Sequence, residues 1–419
     1  MPPVTLSEDW GFDFALRCLL SGVGYDMAEP GEVLAVADAV VAGDRDSWFD
    51  TLTAMADRCR AAAESAAEAA TGGDRRRSVA TASLREANYR YAAFYHVLGT
   101  SQPDRQLPAW RAHRRALDRA LDHWPTPVER STVTVDVGGT SVTVPLWLFT
   151  PGGPPPAPGW PVVVVHNLLT APLSDVLMTG VTDAVERGWA AAAFEGPGQG
   201  TTWFEDGVGP TADWPAVATA VADRLVADPR IDGRRLVAMG VGDGGYLAAR
   251  SAAADHRVAA LVCDPGVLRP VAAALGQLPE GLQSQWEESG WDEAGWKEDS
   301  GRAFDQAVAE AAAGDHEVAF TVAKLIEQWP TSSLAAVLGE MAAWDLAPHV
   351  DRITCPTWIA DPDNATSFPG QSAELAGLLG ARGTLVRFTS AEGAGLDCEI
   401  GAPRLRNQRV YDWLDDRLR

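Results

Sequence analysis

Positive charge is scarce in this sequence. Its 419 residues include 34 lysines and arginines against 57 aspartates and glutamates, so the formal net charge is −23. Lys297 and Lys324 are the only lysines. A chain of this charge is repelled by the phosphates of nucleic acids and by anionic lipid surfaces. We therefore expect neither a nucleic acid nor a membrane as a partner.

Metal-binding and disulfide patterns are also missing. The seven histidines lie far apart, without the spacing of an H-E-x-x-H site, so the sequence predicts no metal ion. The five cysteines are scattered and odd in number, which is typical of free thiols in a reducing cytoplasm. No apolar run approaches 18 residues, and the opening MPPVTLSEDW does not resemble a signal peptide. These features predict a cytoplasmic protein without a membrane span.

Two periodicities divide the chain. Apolar residues recur every three or four positions up to about residue 125, which predicts an N-terminal helical cap domain over 1–125. The period then becomes two in STVTVDV and SVTVPLWLF, which a GGT turn joins into a hairpin. Short apolar strands such as PVVVVHN and LVAMG next alternate with helices, which predicts a mostly parallel sheet. We expect an α/β core over 126–419, with a helical insertion at about 265–350 whose tryptophans are Trp286, Trp291, Trp296, Trp329 and Trp344.

One turn between a strand and a helix bears most directly on chemistry. LVAMGVGDGGYLAAR, residues 236–250, has the form of a nucleophile elbow, G-x-S-x-G, with Gly242 in place of the serine. An elbow needs small residues two positions before and two after its centre, and Gly240 and Gly244 meet that need. Centring the turn on Asp243 would put the β-branched Val241 at one of those places. We therefore predict Gly242 at the centre, with a positive φ.

Asp243 is then predicted to begin the helix that follows the elbow. The helix dipole would favour its carboxylate, so we expect a low pKa. Its backbone N–H would be an oxyanion donor, but a carboxylate beside that donor repels a developing oxyanion. A capping residue and a functional carboxylate are both open interpretations.

Further motifs accompany the elbow: LREANYRYAAFY at 84–95, FEGPGQG at 194–200, DPDNATSFPGQ at 361–371 and EGAGLDCEIGAPRLRNQRVYDWLDD at 392–416. Together they resemble the α/β-hydrolase superfamily, in the helical-cap branch that includes dihydroxypseudooxynicotine hydrolase and fungal polyketide-shortening hydrolases. The resemblance covers nearly the whole chain. It implies an α/β-hydrolase fold, with a mostly parallel central sheet flanked by helices, an N-terminal helical cap and a helical lid insertion. It also points to a homodimer formed through the cap.

The resemblance places the family's triad on three positions that differ here. The serine falls on Gly242, the acid on Ala365 and the histidine base on Asp397. The members of a triad act as a unit, and loss of the serine or the histidine alone costs about a million-fold in turnover. Ordinary serine-dependent hydrolysis is therefore not expected.

Three polar residues remain as catalytic candidates: Asp243, Asp397 and His166. For Asp397 the alternative is a structural salt bridge. His166 ends the strand PVVVVHN, where it would act as an acid or base or else hold loop backbone in place. The substrate pocket is predicted between the cap helix of Tyr91, the elbow and the tryptophan-bearing insertion. The residues expected to bind substrate are Leu168, Leu169, Glu195, Trp203, Tyr246, Tyr89, Tyr95 and Trp286, although Glu195 is more often a structural carboxylate in this family.

These features favour a cofactor-independent enzyme that steers non-hydrolytic carbon–carbon bond chemistry by proximity and placed polar groups. The expected reaction is a cyclisation, addition or coupling of an aromatic or polyketide-like small molecule. Two alternatives stay open. One is a hydrolase of ester or carbon–carbon bonds that uses unconventional residues such as Asp243, and the other is a non-catalytic ligand-binding protein.

Overall fold

A computed structural model describes residues 4–68, 75–289 and 299–418. Helices occupy the first part of the chain, as the apolar period predicts, and they pack around a core that includes Phe12, Trp48 and Phe94. The first of them begins after Asp9, whose side chain accepts a hydrogen bond from the backbone N–H of Phe12. These helices are α1 (Trp10–Ser21), α2 (Pro30–Ala39), α3 (Arg45–Glu68), α4 (Arg76–Tyr95) and α5 (Gln106–Asp122).

A sheet of eight strands follows within the described residues. The order is β1-β2-β4-β3-β5-β6-β7-β8, and the strands from β3 onward are parallel to one another. The predicted hairpin is confirmed, since β1 pairs antiparallel with β2 around Gly138 and Gly139, both at positive φ. The strands are β1 (Val128–Val137), β2 (Thr140–Phe149), β3 (Trp160–His166), β4 (Ala190–Phe194), β5 (Ile231–Val241), β6 (Val258–Asp264), β7 (Thr357–Pro362) and β8 (Gly383–Phe388).

Both faces of the parallel strands β3 to β7 are largely buried, which explains their mostly apolar sequences. Along β3, Val162 and Val164 face one hydrophobic layer, while Val163 and Val165 face the other. Cap residues such as Leu117 belong to the second layer, so the cap packs on that side of the sheet. The helices of the core are α6 (Thr182–Glu186), α7 (Gly200–Phe204), α8 (Trp214–Val226), α9 (Gly244–Ala254), α15 (Gln371–Leu379) and α16 (Pro403–Arg417).

The predicted helical insertion lies between β6 and β7. Part of it has its own core, in which the ring of Trp286 packs edge-on against Phe304, with centroids 6.0 Å apart. Trp291 and Trp296 lie outside the described residues. The helices of the insertion are α10 (Val271–Leu275), α11 (Glu280–Glu288), α12 (Ser300–Gly314), α13 (His316–Ile326) and α14 (Leu334–Ala342). Across the described ranges, no helix is long and apolar enough to cross a membrane.

Candidate active site

The turn between β5 and α9 is a tight corner with glycine at its centre. Gly242 has a φ of 61°, in the left-handed region that favours glycine. A Cβ atom at Gly240 would overlap the carbonyl group of Gly244, and one at Gly244 would overlap the carbonyl oxygen of His166. Both flanking positions therefore require glycine, which supports the register centred on Gly242.

The space above this glycine is filled by a leucine. A Cβ atom at Gly242 would lie 2.5 Å from Cγ and Cδ2 of Leu168, a partly buried residue in the loop after β3. A nucleophilic side chain at the elbow would begin in the space that this side chain occupies. Leu168 would have to move before a serine could stand there.

Asp243 does not cap α9 with its side chain. The carboxylate accepts a hydrogen bond from the backbone N–H of Leu169, at 3.1 Å. Burial raises the pKa of Asp243 to about 6, because the loss of water outweighs the hydrogen bond from the backbone N–H of Leu169. The prediction of a low pKa was therefore wrong. That prediction considered the helix dipole and did not consider the loss of water when the carboxylate is buried.

The loop at 167–170 is held from several sides of the molecule. From the core, Gln199 Nε2 donates to the carbonyl oxygens of Asn167 and Leu168, at 2.9 and 3.1 Å. From the insertion, Gln328 Nε2 donates to the carbonyl oxygen of Leu169, at 3.0 Å. From the cap, the Tyr91 hydroxyl donates to the carbonyl oxygen of Thr170, at 2.5 Å. The Leu169 N–H that meets Asp243 is therefore fixed in place.

His166 lies in the core layer of α8. Its Nδ1 accepts a hydrogen bond from Trp214 Nε1 at 3.0 Å, and its ring packs edge-on against Phe194 at 5.3 Å. The side chain is 2% exposed, and burial lowers its pKa to about 3, so the ring is neutral at ordinary pH. These contacts favour the structural alternative for His166. Catalysis by this residue stays an untested prediction.

Asp397 ties together two loops at the carboxyl ends of the strands. Its carboxylate accepts hydrogen bonds from the hydroxyl and N–H of Thr366, at 2.9 and 3.2 Å. The hydroxyl and N–H of Ser367 also donate to it, at 3.2 and 3.4 Å. All four donors are uncharged, so these contacts are not the salt bridge that was the alternative. The turn that contains Ala365 and the loop that contains Asp397 are therefore neighbours.

Three of the aromatic residues expected to bind substrate are buried in packing layers. The Tyr89 hydroxyl donates to Glu32 Oε2 at 2.8 Å within the cap. Tyr246 stacks on Trp344, with ring centroids 5.9 Å apart. Trp286 packs within the insertion, as described above. Substrate contact by Tyr89, Tyr246 and Trp286 is not supported, because the apolar rings are covered by protein. The spacing of apolar residues in the sequence does not distinguish a ring buried in a core from a ring that lines a cleft.

The other residues expected to bind substrate lie nearer to the interface between cap and core. Tyr95 is 38% exposed, and Lys324 Nζ lies 4.7 Å from its ring centroid. Trp203 is partly buried on α7. The Glu195 carboxylate accepts from Arg114 Nη1 at 2.9 Å and from the Thr201 hydroxyl at 2.7 Å, so its main contacts are structural.

A small cavity lies between the cap and the loops that follow β3 and β4. It has room for about one water molecule. The contribution of α5 was not predicted, although LPAWRAHRRAL places Trp110 and His113 three residues apart, on one helical face. The lining residues are Tyr91, Phe94, Trp110, His113, Arg114, Thr170, Ala171, Pro172, Leu173, Glu195, Gly200, Phe204 and Gln328. Among the residues that the structure describes, no group of three or more histidine, cysteine or acidic side chains is arranged to hold a metal ion.

Known proteins are similar to this chain over almost its whole length. No protein-family model matches the chain. It is 28% identical over 417 residues to the hydrolase LUC6 of a Fusarium species, covering 97% of this chain and 96% of that one. It is 29% identical over 427 residues to the 20-hydroxy-prefusarin hydrolase FUS2 of Gibberella moniliformis, covering 99% and 98%.

Two solved structures have a similar fold over almost the entire chain. The 2,6-dihydroxy-pseudo-oxynicotine hydrolase superposes with a TM-score of 0.67 at 21% identity, covering 95% of each chain. Wild-type AbyA5 superposes with a TM-score of 0.62 at 15% identity, covering 97% of this chain and 95% of that one. The fold predicted from the sequence motifs is confirmed. The protein is an α/β-hydrolase-fold protein with an N-terminal helical cap.

Proposed function

We propose that the protein is an enzyme that catalyses a non-hydrolytic carbon–carbon bond reaction, such as an intramolecular cyclisation or addition, on an aromatic or polyketide-like small molecule. One observation carries the proposal. A carboxylate, Asp243, is hydrogen-bonded to the Leu169 N–H beside an elbow whose centre is glycine. In a hydrolase of this fold, such a loop N–H binds the developing oxyanion. A carboxylate bound there opposes acyl transfer and supplies a base next to the elbow.

The proposed role of Asp243 is that of a general base. Its carboxylate would remove a proton from a carbon next to a substrate carbonyl group. The resulting carbanion would attack a second carbonyl carbon of the same molecule, forming the new bond, and the proton held by Asp243 would pass to the alkoxide oxygen. Substrate and product are then isomers. A pKa of about 6 suits a base that works near neutral pH.

Short p-nitrophenyl esters should be hydrolysed no faster than in buffer alone, and a fluorophosphonate probe should not label the elbow. The reason is that Gly242 offers no nucleophile and Leu168 fills the space above it. The measurements are p-nitrophenol release and mass spectrometry of the treated protein. Stoichiometric labelling between residues 240 and 246 would contradict the proposal.

Restoring the family's triad residues should not restore an efficient esterase. In G242S/A365D/D397H, the new serine would meet Leu168, and Asp243 would still hold the Leu169 N–H. Adding L168A and D243A should raise p-nitrophenyl acetate turnover above that of the triple variant, because alanine neither fills the space above the elbow nor accepts the hydrogen bond from the Leu169 N–H. If the triple variant alone matches the quintuple variant, these two residues are not the obstacles.

The second candidate function is hydrolysis through Asp243. The same carboxylate is favoured for it, because a base with a pKa of about 6 is mostly ionised at pH 7 and could activate water. The relatives LUC6 and FUS2 are both named hydrolases. Two products whose combined mass exceeds that of the substrate by one water molecule would indicate this function, whereas an isomer of the substrate would indicate the first.

A non-catalytic binding protein and a homodimer through the cap also stay predictions. Tight binding of a natural-product intermediate without any conversion would indicate the former. Sedimentation analysis of the full chain tests the latter.

A further inference from the structure

The cavity between the cap and the core is walled by aromatic rings. The rings of Trp110 and Phe204 stack with centroids 5.0 Å apart, and Phe94 meets Phe204 edge-on at 5.5 Å. Trp110 comes from α5, Phe94 from α4, and Phe204 ends the short helix α7. An aromatic enclosure of this kind favours a flat, apolar ligand with few polar atoms.

His113 supplies an unused hydrogen-bond acceptor to this cavity. The side chain is 2% exposed, and its Nδ1 lies 2.9 Å from the carbonyl oxygen of Ala87. A carbonyl oxygen only accepts, so Nδ1 carries the proton and Nε2 has a free lone pair. Among the described residues no donor reaches Nε2. Burial lowers the pKa of His113 to about 4, so the ring remains neutral at ordinary pH.

Three other polar side chains of the cavity already donate hydrogen bonds within the protein. The Arg114 guanidinium is paired with Glu195, with Nη1 and Oε2 2.9 Å apart, so the wall carries no uncompensated positive charge. The Tyr91 hydroxyl and the Gln328 amide donate to the carbonyl oxygens of Thr170 and Leu169. A carboxylate or phosphate would therefore meet no unbalanced positive charge in this wall. A ligand that itself donates one hydrogen bond matches the site.

We propose that this cavity is a binding site for a hydroxyl group on an aromatic ring, with His113 Nε2 accepting the hydrogen bond from that hydroxyl. The ligand class rests on the proposed function, in which the substrate is aromatic or polyketide-like. The hydroxyl takes the place of about one water molecule. The ring takes the place of the Phe204 ring against Trp110, since Phe204 is only partly buried and ends a helix of five residues.

Phenol and anisole test this site, because they share a shape and only phenol donates a hydrogen bond. The full-length protein should bind phenol about three- to tenfold more tightly than anisole, the ratio expected for one net hydrogen bond. Titration calorimetry gives the two Kd values. The ¹⁵N chemical shift of His113 Nε2 should change with phenol and remain unchanged with anisole. This comparison requires no variant.

Two variants sharpen the test. F204A removes a ring from the wall, so it should bind phenol more tightly than the natural protein while the preference over anisole remains. F204A/H113L should bind both compounds equally, with circular dichroism as the check on folding. Equal binding of phenol and anisole by the natural protein would overturn the inference. So would a preference that survives in F204A/H113L, or an absence of phenol binding in both the natural protein and F204A, which would mean a cavity for water only. Failure of the proposed reaction would appear in product analysis and would leave the phenol-to-anisole ratio unchanged.

Discussion

Replacing Asp243 by asparagine should lower turnover of the native substrate by about a hundred- to ten-thousand-fold, the usual contribution of a general base. Asparagine keeps the shape of the side chain, and its oxygen can still accept from the Leu169 N–H. The substitution therefore removes the base and keeps the loop contact. Product formation is followed by chromatography with mass spectrometry.

The pH dependence gives this prediction a second measurement. The ionised carboxylate is the reactive form, so turnover by the natural protein should fall as the pH drops through about 6. The small residual rate of D243N should lack that step. A pH profile with the same step in both proteins would assign it to another group.

The stability of the natural protein should fall as the pH rises, whereas its turnover should fall as the pH drops. The folded-state pKa of Asp243 is raised above its ordinary value, so the fold favours the protonated acid, and its contribution to the free energy of unfolding declines as the pH rises from about 4 to about 6. Asparagine is neutral at every pH. D243N should therefore be at least as stable as the natural protein at pH 8, in urea unfolding. A loss of stability together with activity would indicate a structural role.

Asp397 and His166 are the comparison residues for this experiment. Both D397N and H166A remove groups that make several contacts within the protein, so each should alter folding as well as rate. If D243N, D397N and H166A all keep near-normal rates, none of these side chains performs the chemistry. Catalysis would then have to result from the shape of the cavity, which would hold the substrate in a reactive conformation.

The sheet and the elbow were predictable because local sequence decides them. Continuous apolar strands, the GGT turn and the spacing of Gly240, Gly242 and Gly244 each require one backbone geometry. The environment of Asp243 was not predictable in this way. Its carboxylate meets Leu169, which is 74 positions away in the sequence, and the resulting loss of water reverses the expected shift of its pKa.

Aromatic side chains show the same limit of local reasoning. Tyr89 and Tyr91 are two positions apart on α4, yet the hydroxyl of Tyr89 meets Glu32 within the cap, while that of Tyr91 reaches Thr170 in the core. Only the packing of the cap on the sheet decides which ring faces the cleft. His113 was not predicted for a similar reason. In the sequence of α5 it lies among arginines, and only the packing of the cap on the core shows that it lines the cavity.

Replacing Arg406 by leucine should reduce the free energy of unfolding by about 3–5 kcal/mol, the cost of leaving a buried charge without its partner. Arg406 is 1% exposed, and its Nη1 lies 2.8 Å from Asp264 Oδ2. Nη2 also donates to the carbonyl oxygen of Met178, at 2.8 Å. The matched control is R409L, which removes a partly exposed guanidinium paired with Glu392 and should reduce stability much less. Equal losses in the two variants, by urea unfolding at pH 7, would contradict the prediction.

The buried carboxyl group of Glu399 adds a pH dependence to the same cluster. Burial, with the nearby charge of Asp264, raises the pKa of Glu399 well above its ordinary value. The folded protein therefore holds a proton that the unfolded chain releases. The free energy of unfolding should fall by up to about 1.4 kcal/mol per pH unit as the pH rises above 4.5. The slope should be smaller in E399Q, in which the contribution of Asp243 remains up to about pH 6, and an unchanged slope would show that Glu399 is ionised in the fold. Because the Asp264 carbonyl oxygen accepts the Gly242 N–H at 2.7 Å, loss of this cluster at high pH should also loosen the elbow.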